Sequence, residues 1–271
     1  AATTVGNFDF TNNGAPLTGL PTIITALNGT YTRNSVKNVV QNGALVSLSA
    51  NQFGTSYDPV AGMYGYVPEP AATNLATNSD GTVAQLGSSS NVSNAATPIS
   101  GFSNSIQFGD NSVTRTAYKG GSSSIGTVYT VSVFVQMDDN SAPVVGTSNS
   151  TGDFSLVTDN VLHTSSALVR HIGSNIYRVS SSRTATNGTQ TCGVVKYTGQ
   201  SSKGFRITGI QVETGNRATS YIATTGSTAS RSADVLTVPL WINNVKDSQD
   251  GSTANWTRTN CTVATSGTSP N

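Results

Sequence analysis

Few side chains in this chain could do acid–base or nucleophilic chemistry, and their types bound what it can do. Only two glutamates occur in 271 residues, Glu69 and Glu213. Cleaving a glycosidic bond needs two carboxyl groups roughly 5–10 Å apart across that bond. Glu213 closes an apolar alternation just before a Thr-Gly-Asn turn, where a solvated carboxylate is ordinary. The two histidines, His163 and His171, lie close in sequence to Asp159 and Ser165. A Ser–His–Asp arrangement would draw on these, yet no G-x-S-x-G turn accompanies them. Asp138 and Asp139 precede Asn140 at the end of the longest apolar alternation. That cluster reads as a turn or, alternatively, as an oxygen-ligand corner for calcium. No Gly-rich loop precedes a helical stretch, so nothing points to nucleotide chemistry. The expectation is a protein without catalytic residues and without a cofactor, a structural calcium at Asp138 and Asp139 being the alternative to a plain turn.

Sugar binding asks for something else. Pyranose faces stack on exposed aromatic rings while their hydroxyls need amide and hydroxyl partners. Tyr64, Tyr66, Tyr118, Tyr197 and Trp241 are the candidates. Tyr64 and Tyr66, in MYGYVPEP, share a side if that piece is extended. Burial or interface packing is the competing reading for each, because tyrosine commonly pairs an apolar body with a bonded hydroxyl. Tyr129 alternates with valines and reads as core.

The composition says what must position such groups. Charged residues make up 10% of the chain, well below the usual quarter. Gly, Ser, Thr and Asn fill the polar positions, and Val, Ile, Tyr and Thr recur in short runs, which suits short strands joined by many turns. The net charge of +1 leaves no electrostatic footprint for nucleic acid. No apolar run is long enough for a transmembrane helix. The first ten residues lack a basic stretch followed by an apolar core and do not read as a signal peptide. Cys192 and Cys261 are far apart and form no CxxC pair, so two unpaired thiols are expected.

Residues 127–137, TVYTVSVFVQM, alternate with period two. Tyr129, Val131, Val133, Val135 and Met137 fall on one face; Thr130, Ser132 and Gln136 fall on the other with Val128 and Phe134. Further strands are expected at 22–27, 44–48, 167–172, 176–180, 193–197 and 205–213. Gly209 interrupts the last of these and marks a bulge. Many short strands at such spacing argue for an all-β fold, a β-sandwich or jelly roll. It is preceded by a turn-rich β N-terminal region and followed by an extended C-terminal arm.

Four separated patches then resemble virion proteins of tailed bacteriophages. GIQVE at 209–213 and ATSYI at 218–222, followed by Thr225, Gly226, Arg231, Ala233 and Asp234, are similar to the family's G-x-Q-[LV]-E … A-T-S-Y-I-x-T-x-G … R-x-A-D. IGSNIYRVS at 172–180 resembles its G-N-G-W-Y-R-V-S strand, with Ile176 in place of the Trp. Tyr57, Asp58, Pro59 and Gly62, then EPAATNL at 69–75, resemble D-P-x-T-G … E-x-A-R-T-N-L. The resemblance implies a jelly roll of the carbohydrate-binding-module kind in a tail fibre, head fibre or decoration protein on the virion surface. It further implies other virion proteins as partners, a homo-oligomer (a trimer if a fibre), and host-surface glycan as a ligand. A carbohydrate-binding module of a secreted system is the alternative. A polysaccharide depolymerase ranks below both, because glutamates are scarce and no β-helix repeat is visible.

The resulting organisation has an N-terminal assembly region at 1–75, a jelly-roll domain at 76–225 and a C-terminal arm, or the start of a further module, at 226–271. In the arm, Val235, Leu236, Val238, Leu240, Trp241 and Ile242 would be buried in a partner, since an extended segment can add a strand to an exposed sheet edge. A strand within the same domain is the other reading of these residues.

Overall fold

The structure, a computed structural model, describes residues 17, 19–21, 24–25, 28–41, 44–58, 63–119, 123–188 and 191–237. It is all-β, built on a two-sheet sandwich. The N-terminal part carries β1 (Thr30–Thr32), β2 (Lys37–Gln41), β3 (Ala44–Leu48), β4 (Ser56–Asp58), β5 (Met63–Gly65) and β6 (Ala72–Asn74). The sandwich strands follow: β7 (Ser88–Ser90), β8 (Ser93–Ala95), β9 (Ser105–Phe108), β10 (Arg115–Lys119), β11 (Val128–Met137), β12 (Ser155–Thr158) and β13 (Val161–Leu162). They continue with β14 (Leu168–Gly173), β15 (Ile176–Thr184), β16 (Cys192–Lys196) and β17 (Phe205–Thr214), and two short strands close the series, β18 (Ala229–Arg231) and β19 (Val235–Thr237).

One sheet has six strands in the order β14-β15-β11-β17-β9-β8; the other has five, β13-β12-β16-β10-β7. Neighbouring strands in both are antiparallel. The core between them follows from alternation. Tyr129, Val131, Val133, Val135 and Met137 of β11 pack with Val179, Phe205, Ile207, Ile210 and Val212 of the same sheet. Phe154, Leu156, Cys192 and Val194 face them from the opposite sheet. Phe205 stacks on Phe108 and packs tilted against Phe154, with ring centroids 4.6 Å apart in each contact.

At Gly209 the β11–β17 register shifts between Ser132 and Phe134, so Val133 faces two residues of β17. This is the bulge read from the interrupted alternation. Gly209 has φ +61, and a Cβ there would lie 2.7 Å from Phe102 and 2.8 Å from Phe134. The position therefore needs glycine on both conformational and steric grounds.

The outward face of the six-stranded sheet is itself partly covered. Phe134, Phe102, Ile99, Ile172, Ile176 and Tyr221 form a second buried cluster there, joined by Leu45 of β3. The expected strand at 22–27 is corrected: Ile24 and Thr25 lie in a helical turn whose amides both bond the Pro21 carbonyl. Pro21 presets a helical φ and lacks an N–H that the first turn would leave unpaired.

Candidate functional site

The chain's motif residues are brought together by the fold. On the outward face of β17, Gln211 and Glu213 are fully buried. The Gln211 carbonyl oxygen accepts the Ile222 amide at 2.7 Å, and its amide nitrogen donates to Glu213 at 2.7 Å. Glu213 in turn accepts the Thr219 amide at 3.0 Å and the Thr219 hydroxyl at 2.5 Å. Asn74 of β6 accepts amide protons from Val212 and Ala76 and donates to the Ile222 carbonyl. Tyr221 meets Ser79 hydroxyl to hydroxyl at 2.5 Å, and burial first of all pushes its phenol above the ordinary range. The segment 218–222 is thus fixed by side chains reaching its backbone, which satisfies amides that no strand ladder pairs.

Beside this lies a buried ion network. Asp234 accepts hydrogen bonds from Lys37 at 2.6 Å and Tyr31 at 2.8 Å, and lies 3.4 Å from Arg33. Arg33 also bonds the Tyr31 hydroxyl. Glu69 sits 3.1 Å from Lys37 and 3.3 Å from Arg231, and accepts the Ser220 amide and hydroxyl at 2.8 and 2.6 Å. Burial would raise the Asp234 carboxyl, but Lys37, Tyr31 and Arg231 outweigh it and hold the carboxyl below the usual range. Each cation also reaches backbone carbonyls, Arg33 those of Leu48 and Ser49 and Arg231 that of Pro70. Buried charges are tolerated only when paired and hydrogen-bonded in this way.

Between these layers a cleft of about 530 Å³ opens against the outward face of β14 and β15. Its floor carries Arg170, Arg178, Ser180 and Ser182. Arg178 lies 5.4 Å from the Phe134 ring centroid and donates to the Ser132 hydroxyl at 3.1 Å. Its Nε is buried without a hydrogen-bond partner. Arg170 stands directly opposite it on the neighbouring strand, and Arg217 borders the opening.

The glutamates expected to be weak catalytic candidates are both occupied by the 219–220 segment. His163 bonds Thr158 at 2.8 Å, whereas Asp159 accepts from Ser123 and the amides of Thr186, Asn187 and Gly188. His171 packs on Tyr177 with centroids 4.9 Å apart. These groups are therefore not brought together as a triad. Asp138 lies 3.6 Å from Arg206 and Asp139 2.9 Å from Lys203, so each carboxylate faces a cation. No cluster of three metal-ligating side chains occurs among the described residues.

The tyrosine candidates are dispersed. Tyr66 packs on Phe53 and Tyr31 at 4.8 and 6.0 Å, and burial pushes its phenol up to about 12. Tyr118 is on β10 and Tyr197 just beyond β16, both in the five-stranded sheet's chain segments. Burial raises Tyr118 to about 12 as well. Tyr64 lies in β5, whose partner is β4. Trp241 is outside the described residues, as are Val238, Leu240 and Ile242. Val235 and Leu236 belong to β19, which pairs with β1 of the same chain, the within-domain alternative. Ile176, at the position of the family's Trp, is buried in the second cluster. Cys192 is a buried free thiol, and Cys261 is outside the described residues.

Sequence reasoning passed over Arg170, Arg178 and Arg217. A signal existed: in IYRVSSS, alternation puts Arg178, Ser180 and Ser182 on the face opposite Val179. Scanned against protein-family models and against curated proteins, the chain matches none.

Proposed function

We propose that the chain is a non-enzymatic structural protein of a tailed-bacteriophage particle, a fibre, appendage or decoration component with a jelly-roll sandwich whose surface meets host glycans. One observation carries the reading. Two of the patches that resemble phage virion proteins, 69–75 and 209–234, bond to one another across up to 162 residues of chain: Glu69 to Ser220 and Arg231, and Asn74 to Val212 and Ile222. Matches scattered by coincidence would have no reason to converge on one clasp. The roles of Glu69 and Glu213 in that clasp also argue against the depolymerase alternative, because a catalytic carboxylate must be free to move protons or attack.

The test is the solution mass of the chain by light scattering, compared with a chain ending at Thr237. That cut keeps β18 and β19, which belong to the fold. An oligomer that becomes a monomer on truncation supports assembly through residues beyond 237. An oligomer in both forms supports assembly through the β regions. A monomer in both forms opposes self-assembly and favours the carbohydrate-binding-module alternative.

A further inference from the structure

We propose that the cleft between the N-terminal layer and the β14–β15 face binds an acidic saccharide unit, its carboxylate held by Arg178 and Arg170 and its hydroxyls by the serines beside them. The inference rests on the glycan-contact part of the function proposed above and names the ligand class and the residues.

Four features point there. First, the charge is unbalanced. Arg170 and Arg178 face each other across adjacent strands, an arrangement that is destabilising for like charges. Among the described residues neither they nor Arg217 form a close ion pair: Glu213 and Glu69 attract Arg178 from farther away, but both carboxylates are engaged by other partners. An incoming anion supplies the missing charge.

Second, the donor is prepared: Arg178 is held by the Phe134 ring and the Ser132 hydroxyl. A guanidinium presents its N–H groups in a fixed fork that matches a carboxylate. Arg178 lines the cleft, so its fork is held in place before any ligand arrives.

Third, the lining suits a polyol better than a bare anion. Ser165, Ser166, Ser180, Ser182 and Asn216 border the same space. Hydroxyls and an amide can each donate and accept, as sugar hydroxyls require. The exposed Leu168 offers apolar surface for the C–H face of a ring. Fourth, the volume of about 530 Å³ falls in the range typical of small-ligand sites.

Calorimetric titration of the full chain tests this with defined probes. Trigalacturonate, a hyaluronan tetrasaccharide and a dimer of N-acetylneuraminic acid are the acidic ligands. Methyl-esterified trigalacturonate and inorganic phosphate are the controls. At least one acidic saccharide is expected to bind, tenfold or more tighter than the ester or phosphate, with affinity falling as salt rises. Arg170→Gln, at an exposed side chain, is expected to lose about tenfold without lowering the melting temperature, since it also relieves the repulsion from Arg178, and Arg178→Gln is expected to lose more. Equal binding of the ester would overturn the acidic specificity while leaving a glycan-contacting surface intact. Tighter binding of phosphate would reassign the cleft to a bare anion. Binding unchanged in both variants would move the site elsewhere. Absence of binding by all three acidic saccharides would sink the inference, while the assembly reading would still stand on the measured mass.

Discussion

Asp234 Oδ2 lies 2.6 Å from Lys37 Nζ, although 197 residues separate them in the chain. The pair joins the N-terminal layer to the segment that leaves β17, and both side chains are buried. Asp234 is not replaceable by a neutral residue, because Arg33 would then lose its carboxylate and Lys37 and Arg231 would share Glu69 alone. Asp234→Asn is expected to cost about 3–5 kcal/mol, the scale for breaking a buried pair by removing one partner. The denaturant midpoint measures it. The carboxyl is held below its unfolded value, so its contribution is complete above about pH 4 and is lost as pH falls through the lowered folded value. The variant should therefore differ most from the parent at neutral pH and converge with it in strong acid.

His163 produces a separate pH dependence of opposite origin. Burial, and then the charge of Arg183, push its imidazole down to about 4 from 6.5. Above pH 6.5 the ring is neutral in both states and contributes nothing. Below that value the unfolded chain takes the proton first, so stability falls as pH drops from about 6.5 to about 4 and then levels. The loss is about 3 kcal/mol from the shift in affinity. His163→Gln is expected to flatten this slope. Urea melts at pH 7 and pH 4.5 on both proteins check it, and an unchanged slope would assign the acid sensitivity to other groups.

Gly209→Ala combines two penalties. A left-handed φ costs a residue with a side chain about 1 kcal/mol, and overpacking costs about 1–3 kcal/mol more, because the new methyl meets the rings of Phe102 and Phe134. A loss of about 2–4 kcal/mol in thermal or denaturant melts is expected. A loss of only about 1 kcal/mol would mean that the Phe102 and Phe134 rings give way and the backbone penalty alone remains.

The sandwich was legible where alternation is unbroken. The β11 sequence separates its core valines from Thr130, Ser132 and Gln136 as the structure does. Phe134 follows the outward set, and its burial depends on Phe102, Ile172 and Tyr221, which no local pattern announces. β12 was illegible because all four of its residues are buried, leaving no alternation to read. The 22–27 run reads as a strand from its β-branched residues, but Ile24 and Thr25 lie in a helical turn set by Pro21. Of the candidate site, the motif residues were visible as a resemblance but their mutual bonding was not, since it spans the whole chain. The arginine cleft needed the pairing of β14 with β15, which brings Arg170 and Arg178 together.

Hydrogen exchange read by mass spectrometry, on the parent and on Asp234→Asn, tests most directly whether the motif residues clasp the N-terminal layer to the sandwich. The clasp predicts that β2 and β3 lose protection in the variant, because they are released from the outward face, while β11 and β15 keep theirs through the core between the two sheets. Protection of β2 and β3 that is unchanged by the substitution would contradict it, and the resemblance would then lose its structural support.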